Sequence, residues 1–200
     1  IYCPGGPEFN SPKAYTGKEP AARRAEQNGF SSYRQLEARL RQFGLIGHSA
    51  EKNELIIQGG TINALPYNYQ YNFIKGAYDA FNEKVSGTLE EAKTLNEKAK
   101  HRVIGLTIET RPDYCAEGQI KKLLEFGTTR IELGVQSLDD RIMVLSKRGH
   151  DVKAVVDGTK RCKDALLKIC YHMMPGLFAT PEQDVGYFKE LFSNPDFTFL

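Results

Sequence analysis

The chain has no tryptophan, only four cysteines, almost no net charge and no long apolar run. These scarcities exclude unequal amounts. The missing tryptophan excludes nothing, because Tyr and Phe are plentiful. Without an apolar run of membrane-spanning length, no membrane helix is expected, and with no signal peptide the expected compartment is a reducing cytoplasm. Cys3, Cys115, Cys162 and Cys170 are too widely spaced to read as a disulfide framework or a zinc ribbon. Cys162 and Cys170 lie in apolar-periodic segments and read as core thiols. A formal charge of +2 does not argue for nucleic acid by itself. Its distribution says more: Lys13, Lys18, Arg23, Arg24, Arg34, Arg39 and Arg41 outnumber the acids near the start. Such a shoulder is either a solvated helix face or a surface for phosphates. An initiator Met is also lacking, and the chain reads as a piece of a longer protein. Its 200 residues suffice for one domain with a real core, or most of a larger one.

What is present is an alternation of strand-like and helix-like periods, uninterrupted by repeats or low-complexity tracts. Helices are expected over residues 31–44, 68–84, 89–100, 119–126, 138–146, 151–165 and 182–192. Strands are expected over Glu54–Gln58, Val103–Glu109, Thr129–Val135 and Leu167–Met173. Phe197-Thr198-Phe199-Leu200 reads as the start of another strand. Strands separated by helices imply right-handed crossovers and a parallel sheet. The expected fold is therefore α/β, a full or three-quarter β/α barrel cut at both ends, with an open doubly wound sheet as the alternative.

In parallel α/β folds ligands sit at the carboxyl ends of strands. The first strand ends in Gly59-Gly60-Thr61, which permits close backbone approach. The second ends in Glu109-Thr110-Arg111-Pro112-Asp113, the third in Gln136-Ser137, and the fourth in His172 before Met173-Met174-Pro175-Gly176. Arg148, in a helical connection, could reach the same rim. Each also has a bland explanation: Glu109 pairing with Arg111, Gln136 capping a helix, His172 as a core histidine. Taken together, carboxylate, amide, guanidinium and imidazole suit a zwitterionic ligand that carries a ribose. Near the start of the chain, Cys3 stands in Tyr2-Cys3-Pro4-Gly5-Gly6, a setting that suits a loop around a metal or iron–sulfur centre.

Several strings carry a family resemblance. Tyr2-Cys3 as the tail of a Cys-x-x-Cys, Gly59-Gly60-Thr61 and Gly134-Val135-Gln136-Ser137 are similar to the radical S-adenosylmethionine fold. More specifically, the run from Ser11 to Pro20, the run from Thr107 to Cys115, Lys147-Arg148-Gly149-His150 and His172–Gly176 resemble the Elongator catalytic-subunit family, along the whole chain. That family makes the carboxymethyl group of the tRNA wobble uridine.

The resemblance implies a four-iron four-sulfur cluster that binds S-adenosylmethionine and cleaves it to a 5′-deoxyadenosyl radical. It also implies acetyl-CoA as co-substrate in a separate acetyltransferase domain, which this chain lacks. Cys3 would be the last cluster ligand and Tyr2 the aromatic beside the adenine. Gly60 and Thr61 would meet the methionine amino group, with Gly59 and Gly60 leaving room for backbone groups to reach it, and Glu109, Gln136, Arg148 and His172 would meet the nucleoside or methionine. Lys13, Lys18, Arg23 and Arg24 would meet tRNA near the anticodon. Residues 1–30 would form the cluster loop and basic segment, and 31–200 the barrel units. Elongator-type partner subunits and a homodimer are expected partners, and a membrane is not. Alone, the segment is expected to be an inactive acyltransferase fragment. The alternatives are a methylthiotransferase or porphyrinogen dehydrogenase of the same radical chemistry, or a non-catalytic tRNA-binding module.

Overall fold

The computed structural model describes residues 15–198. They divide into two compact units, with the division between Leu106 and Thr107.

In the N-terminal unit the Glu19 carboxylate gathers the backbone N–H groups of Thr16 and Gly17. The helix α1 (Pro20–Gln27) starts directly after it, with Pro20 in the first turn, where a missing N–H costs nothing. Then come α2 (Ser32–Leu45), whose cap Ser31 accepts from Arg34 N–H, and β1 (Lys52–Ile57). The helices α3 (Tyr67–Phe81) and α4 (Leu89–Asn96) complete the helical part of this unit. The last of them stops four residues short of expectation because Asn96 leaves the helical pattern to cross-link the chain on either side. Its amide donates to the Asn82 side chain and the His101 carbonyl and accepts from Val103 N–H. The strand β2 (Arg102–Thr110) begins there, and its first half belongs to this unit.

The second half of β2 opens the C-terminal unit. Next are α5 (Glu117–Glu125), β3 (Arg130–Gln136), α6 (Asp140–Leu145), α7 (Val152–Asp164), β4 (Lys168–Met173), α8 (Pro181–Ser193) and α9 (Pro195–Thr198). The strands β2 and β3 pair in parallel, as do β3 and β4. The strand order is β1-β2-β3-β4. A doubly wound sheet reverses its order at a switch point, and this sequential order has none, so the opened β/α barrel is the right description.

Two expectations are corrected, at Phe197-Thr198 and at Cys170, while Cys162 is the core thiol expected. The strand expected at Phe197-Thr198 is helical in α9, and Phe199 and Leu200 lie outside the described residues. Asn194 accepts from Asp196 N–H and Pro195 supplies a helical φ, which together outweigh the β-propensity of the aromatic residues. Cys170 is exposed rather than a core thiol. It falls in the polar register of β4, at the edge of the sheet, while its neighbours Ile169 and Tyr171 take the opposite face. And Cys115 and Cys162, distant in sequence, form a buried thiol pair. The hydrogen bond to Cys162, then burial, pushes the Cys115 thiol far up.

The core of the C-terminal unit lies on one side of its strands. Ile108, Ile131, Leu133 and Val135 are fully buried, as are Leu123, Phe126, Val155 and Cys162 from the covering helices and loops. The helix α7 packs on β3 and β4. At Gly158 it comes so close to the turn after β2 that a Cβ would stand 2.8 Å from the Pro112 carbonyl oxygen.

Candidate active site

The strands bury their apolar residues on one face, so the intervening positions define the other. Read across the register, Thr107, Arg130 and Lys168 form one row, and Glu109, Glu132 and Cys170 the next. One step further along β3 and β4 are Gly134 and His172. A parallel strand covered on both faces usually reads as a continuous apolar run. These strands alternate instead, and the polar set gathers towards their carboxyl ends.

His172 is the centre of the first cluster. Its Nε2 lies 2.9 Å from Glu132 Oε2, and its Nδ1 lies 3.7 Å from Glu109 Oε1. The Glu109 carboxylate, the leading influence, and then that of Glu132 hold the imidazole above its ordinary value against the opposing effect of burial. By distance the tighter pair is with Glu132. Arg130 Nη2 approaches the second oxygen of Glu132 at 3.4 Å, and Arg130 Nε donates to Thr107 Oγ1 at 3.1 Å.

Gly134 is the centre of the second cluster. The Arg148 guanidinium reaches back from the connection after α6 and donates through Nη2 to the Gly134 carbonyl. A Cβ at Gly134 would collide with that same nitrogen and stand 3.2 Å from Gln136 Nε2. Glycine here keeps space for an arginine laid over the strand. Arg148 Nε also donates to His150 Nε2 at 3.1 Å, which requires a neutral imidazole. Burial, the leading cause, lowers His150 accordingly. Gln136 itself has φ +77° at an irregularity in the β3–β4 register. A non-glycine residue held in that region is a strained strand end, of the kind that re-aims a side chain.

The expected residues therefore separate into groups. Glu109 and His172 come together; Gln136 and Arg148 come together; both groups flank the polar face of β3 in the C-terminal unit. Arg111 clamps Asp113 at 2.9 and 2.7 Å. Gln136 does not cap α6, because Asp139 does. Gly59 and Gly60 end β1 with φ +117° and +135°. With Thr61 they help line a cavity of about 520 Å³ in the N-terminal unit, walled by Phe30, Leu36, Leu55, Ile57 and Phe73. At the start of the unit, Lys18 and Arg23 are exposed, whereas Arg24 is half-buried against that cavity and lowered by burial and by Arg39. Tyr2, Cys3 and Lys13 lie outside the described residues.

Glu132, Arg130 and His150 escaped the sequence reading. The signal for the first two was the strict alternation Arg130-Ile131-Glu132-Leu133-Gly134, which places charge inside a parallel strand. Glu132, Cys170 and His172 bring one oxygen, one sulfur and one nitrogen within 4.8 Å of each other. The Arg130 cation already balances that carboxylate, so the trio is an ion-paired cluster rather than a cation site.

The donor set fits S-adenosylmethionine: a guanidinium for the methionine carboxylate, a carboxylate for its ammonium, an amide and an imidazole for ribose hydroxyls. No helix among the described residues is long and apolar enough to cross a membrane. Residues 2–192 match the model of the radical SAM superfamily. The tRNA uridine(34) acetyltransferase of Methanocaldococcus infernus is 49% identical over 98% of this chain and 38% of that protein. That of Dehalococcoides mccartyi is 48% identical over 98% of this chain and 43% of that protein. Elongator complex protein 3 of Homo sapiens is 40% identical over 98% of this chain and 37% of that protein. A solved structure of the archaeal Elp3 from Methanocaldococcus infernus, with an N-terminal deletion, superposes with a TM-score of 0.85 at 49% identity. It does so over 86% of this chain and 41% of that one. The chain spans about two fifths of the length of these relatives. By the extent of the family match the chain belongs to the radical SAM superfamily.

Proposed function

We propose that this chain is the S-adenosylmethionine-binding part of an acyltransferase that builds a carboxymethyl group, from acetyl-CoA, on carbon 5 of the tRNA wobble uridine. The observation that carries the reading is the polar face of β3, flanked by Glu109, Gln136, Arg148 and His172, in a chain 46–49% identical to archaeal and bacterial tRNA uridine(34) acetyltransferases. The iron–sulfur cluster, when bound, supplies the electron for radical chemistry on S-adenosylmethionine, and Cys3 would be one of its ligands.

The chain's own residues bind and orient. Arg148, tied to Gly134 and His150, takes the methionine carboxylate. Glu109 takes the ammonium; Gln136 and His172 take the ribose hydroxyls. Residues 1–30 carry the cluster loop and the basic segment, and 31–200 the barrel units. Lys13, Lys18, Arg23 and Arg24 contact phosphates of the anticodon stem, whose single-stranded loop lets the target base leave its stack cheaply. Acetyl-CoA is handled by a further domain, in a cytoplasmic assembly with Elongator-type subunits or a second copy.

Calorimetry of S-adenosylmethionine binding to the full-length protein tests this. Glu109→Ala should weaken binding by a factor of ten or more, the order of one lost charge-assisted hydrogen bond of about 1.5–3 kcal/mol. Unchanged affinity in both Glu109→Ala and Gln136→Ala would remove this face from the site. Replacing Arg23 should lower the salt slope of tRNA binding by about one, and an unaltered slope would return α1 to ordinary surface.

A further inference from the structure

Glu132 is a buried charge that the proposed binding does not use. It is 6% exposed, in the middle of β3, with the apolar Ile131 and Leu133 on either side. An ionised carboxylate persists there only if both oxygens are met by partners that offset its desolvation. They are: Oε1 by Arg130 at 3.4 Å and Oε2 by His172 Nε2 at 2.9 Å. The guanidinium is itself fixed by Thr107, so one side of the carboxylate is anchored within the sheet. The other side is turned to the imidazole. His172 stands on the edge strand with about a third of its side chain exposed. Its second nitrogen, Nδ1, faces Glu109 at 3.7 Å.

We infer that Glu132 is a positioning residue that grips the His172 imidazole by Nε2 and thereby turns Nδ1 towards Glu109 at the end of β2. The grip fixes ring orientation and decides which nitrogen remains available, the role a carboxylate commonly has behind a functional histidine. The row Glu109–Glu132–Cys170 sets the spacing, because in-register partners on adjacent parallel strands bring the two carboxylates to opposite sides of one ring. The inference deepens the proposed function and rests on the reading that Glu109 and His172 meet S-adenosylmethionine.

The test uses the full-length protein with Glu132→Gln, Glu132→Ala and His172→Gln. The His172 ring is titrated by nitrogen NMR, its signals assigned by their loss in His172→Gln, and S-adenosylhomocysteine serves as the calorimetric probe. The expected result is that the His172 titration falls by about one pH unit in Glu132→Ala, and that probe affinity falls about tenfold, comparably to His172→Gln. Glu132→Gln, which keeps shape and one acceptor, should show the same downward titration with a smaller loss of affinity, and serves alone if the alanine variant does not fold. An unmoved His172 titration in either Glu132 variant overturns the inference, whatever happens to affinity. A moved titration with probe affinity unchanged in all three variants leaves the positioning intact and removes His172 from the nucleoside site.

Discussion

The two faces of the sheet in the C-terminal unit are made from alternate residues of the same strands, and they carry opposite obligations. On β3 the odd-numbered Ile131, Leu133 and Val135 are fully buried and contribute area removed from water. The even-numbered Arg130, Glu132, Gly134 and Gln136 hold partners: a carboxylate, an imidazole, a guanidinium and a strained turn. The first face depends on matched apolar volume, the second on matched polar partners. A change of one residue in register would exchange them completely.

That contrast can be broken on the apolar side with the largest effect. Leu133→Ala should destabilise the unit by roughly 2–5 kcal/mol through lost transfer energy and a cavity, measured by urea unfolding. The contrast predicts that any Leu133→Ala protein that still folds keeps near-normal S-adenosylmethionine affinity. Gly158→Ala comes next. Its Cβ would stand 2.8 Å from a backbone oxygen and 3.5 Å from Cys115 Cβ, and such overpacking costs about 1–3 kcal/mol. Thermal unfolding checks it, and an unchanged midpoint would mean that α7 shifts freely.

Tyr171→Phe is smaller. Its hydroxyl lies 2.8 Å from the buried Thr159 Oγ1 and 2.9 Å from the Phe197 carbonyl, and losing it should cost about 1 kcal/mol. On the polar side, Gly134→Ala should barely change the unfolding midpoint, because the clash is with the flexible end of Arg148. It should displace that guanidinium all the same and weaken S-adenosylmethionine binding several-fold. Equal affinity in calorimetry would show that Arg148 does not need the glycine.

The finest probe is pH. His172 is raised by its carboxylates, so its contribution is fully present below the ordinary histidine value of 6.5 and is lost as pH rises through its own higher one. His150 is lowered by burial, so it weighs against the fold only when pH falls below 6.5. Titration curves of the two rings should therefore flank 6.5 on opposite sides. Coincident curves would deny that the two clusters differ.

The strand boundaries were legible because apolar residues alternate with polar ones, and Glu109, Gln136 and His172 because a strand end is where polar side chains are worth noticing. Glu132 was not, since a search of strand ends passes over the middle of a strand. For α1 the charges allowed a solvated helix face but did not mark its start at Pro20. Cys170 was misread because a run such as Leu167–Met173 looks apolar until its residues are sorted by face. The Cys115–Cys162 contact lies beyond any local pattern: it depends on α7 folding back over the turn after β2.

The hold on Arg148 has one more consequence. A free arginine side chain gives up about 2 kcal/mol of rotamer entropy when it is immobilised. Here the Gly134 carbonyl and the His150 ring have already arrested it during folding. A carboxylate docking there, as the proposed function has it, would meet a cation with no freedom left to surrender, so the ordering cost would fall on the fold and the ligand would keep nearly the whole of its attraction.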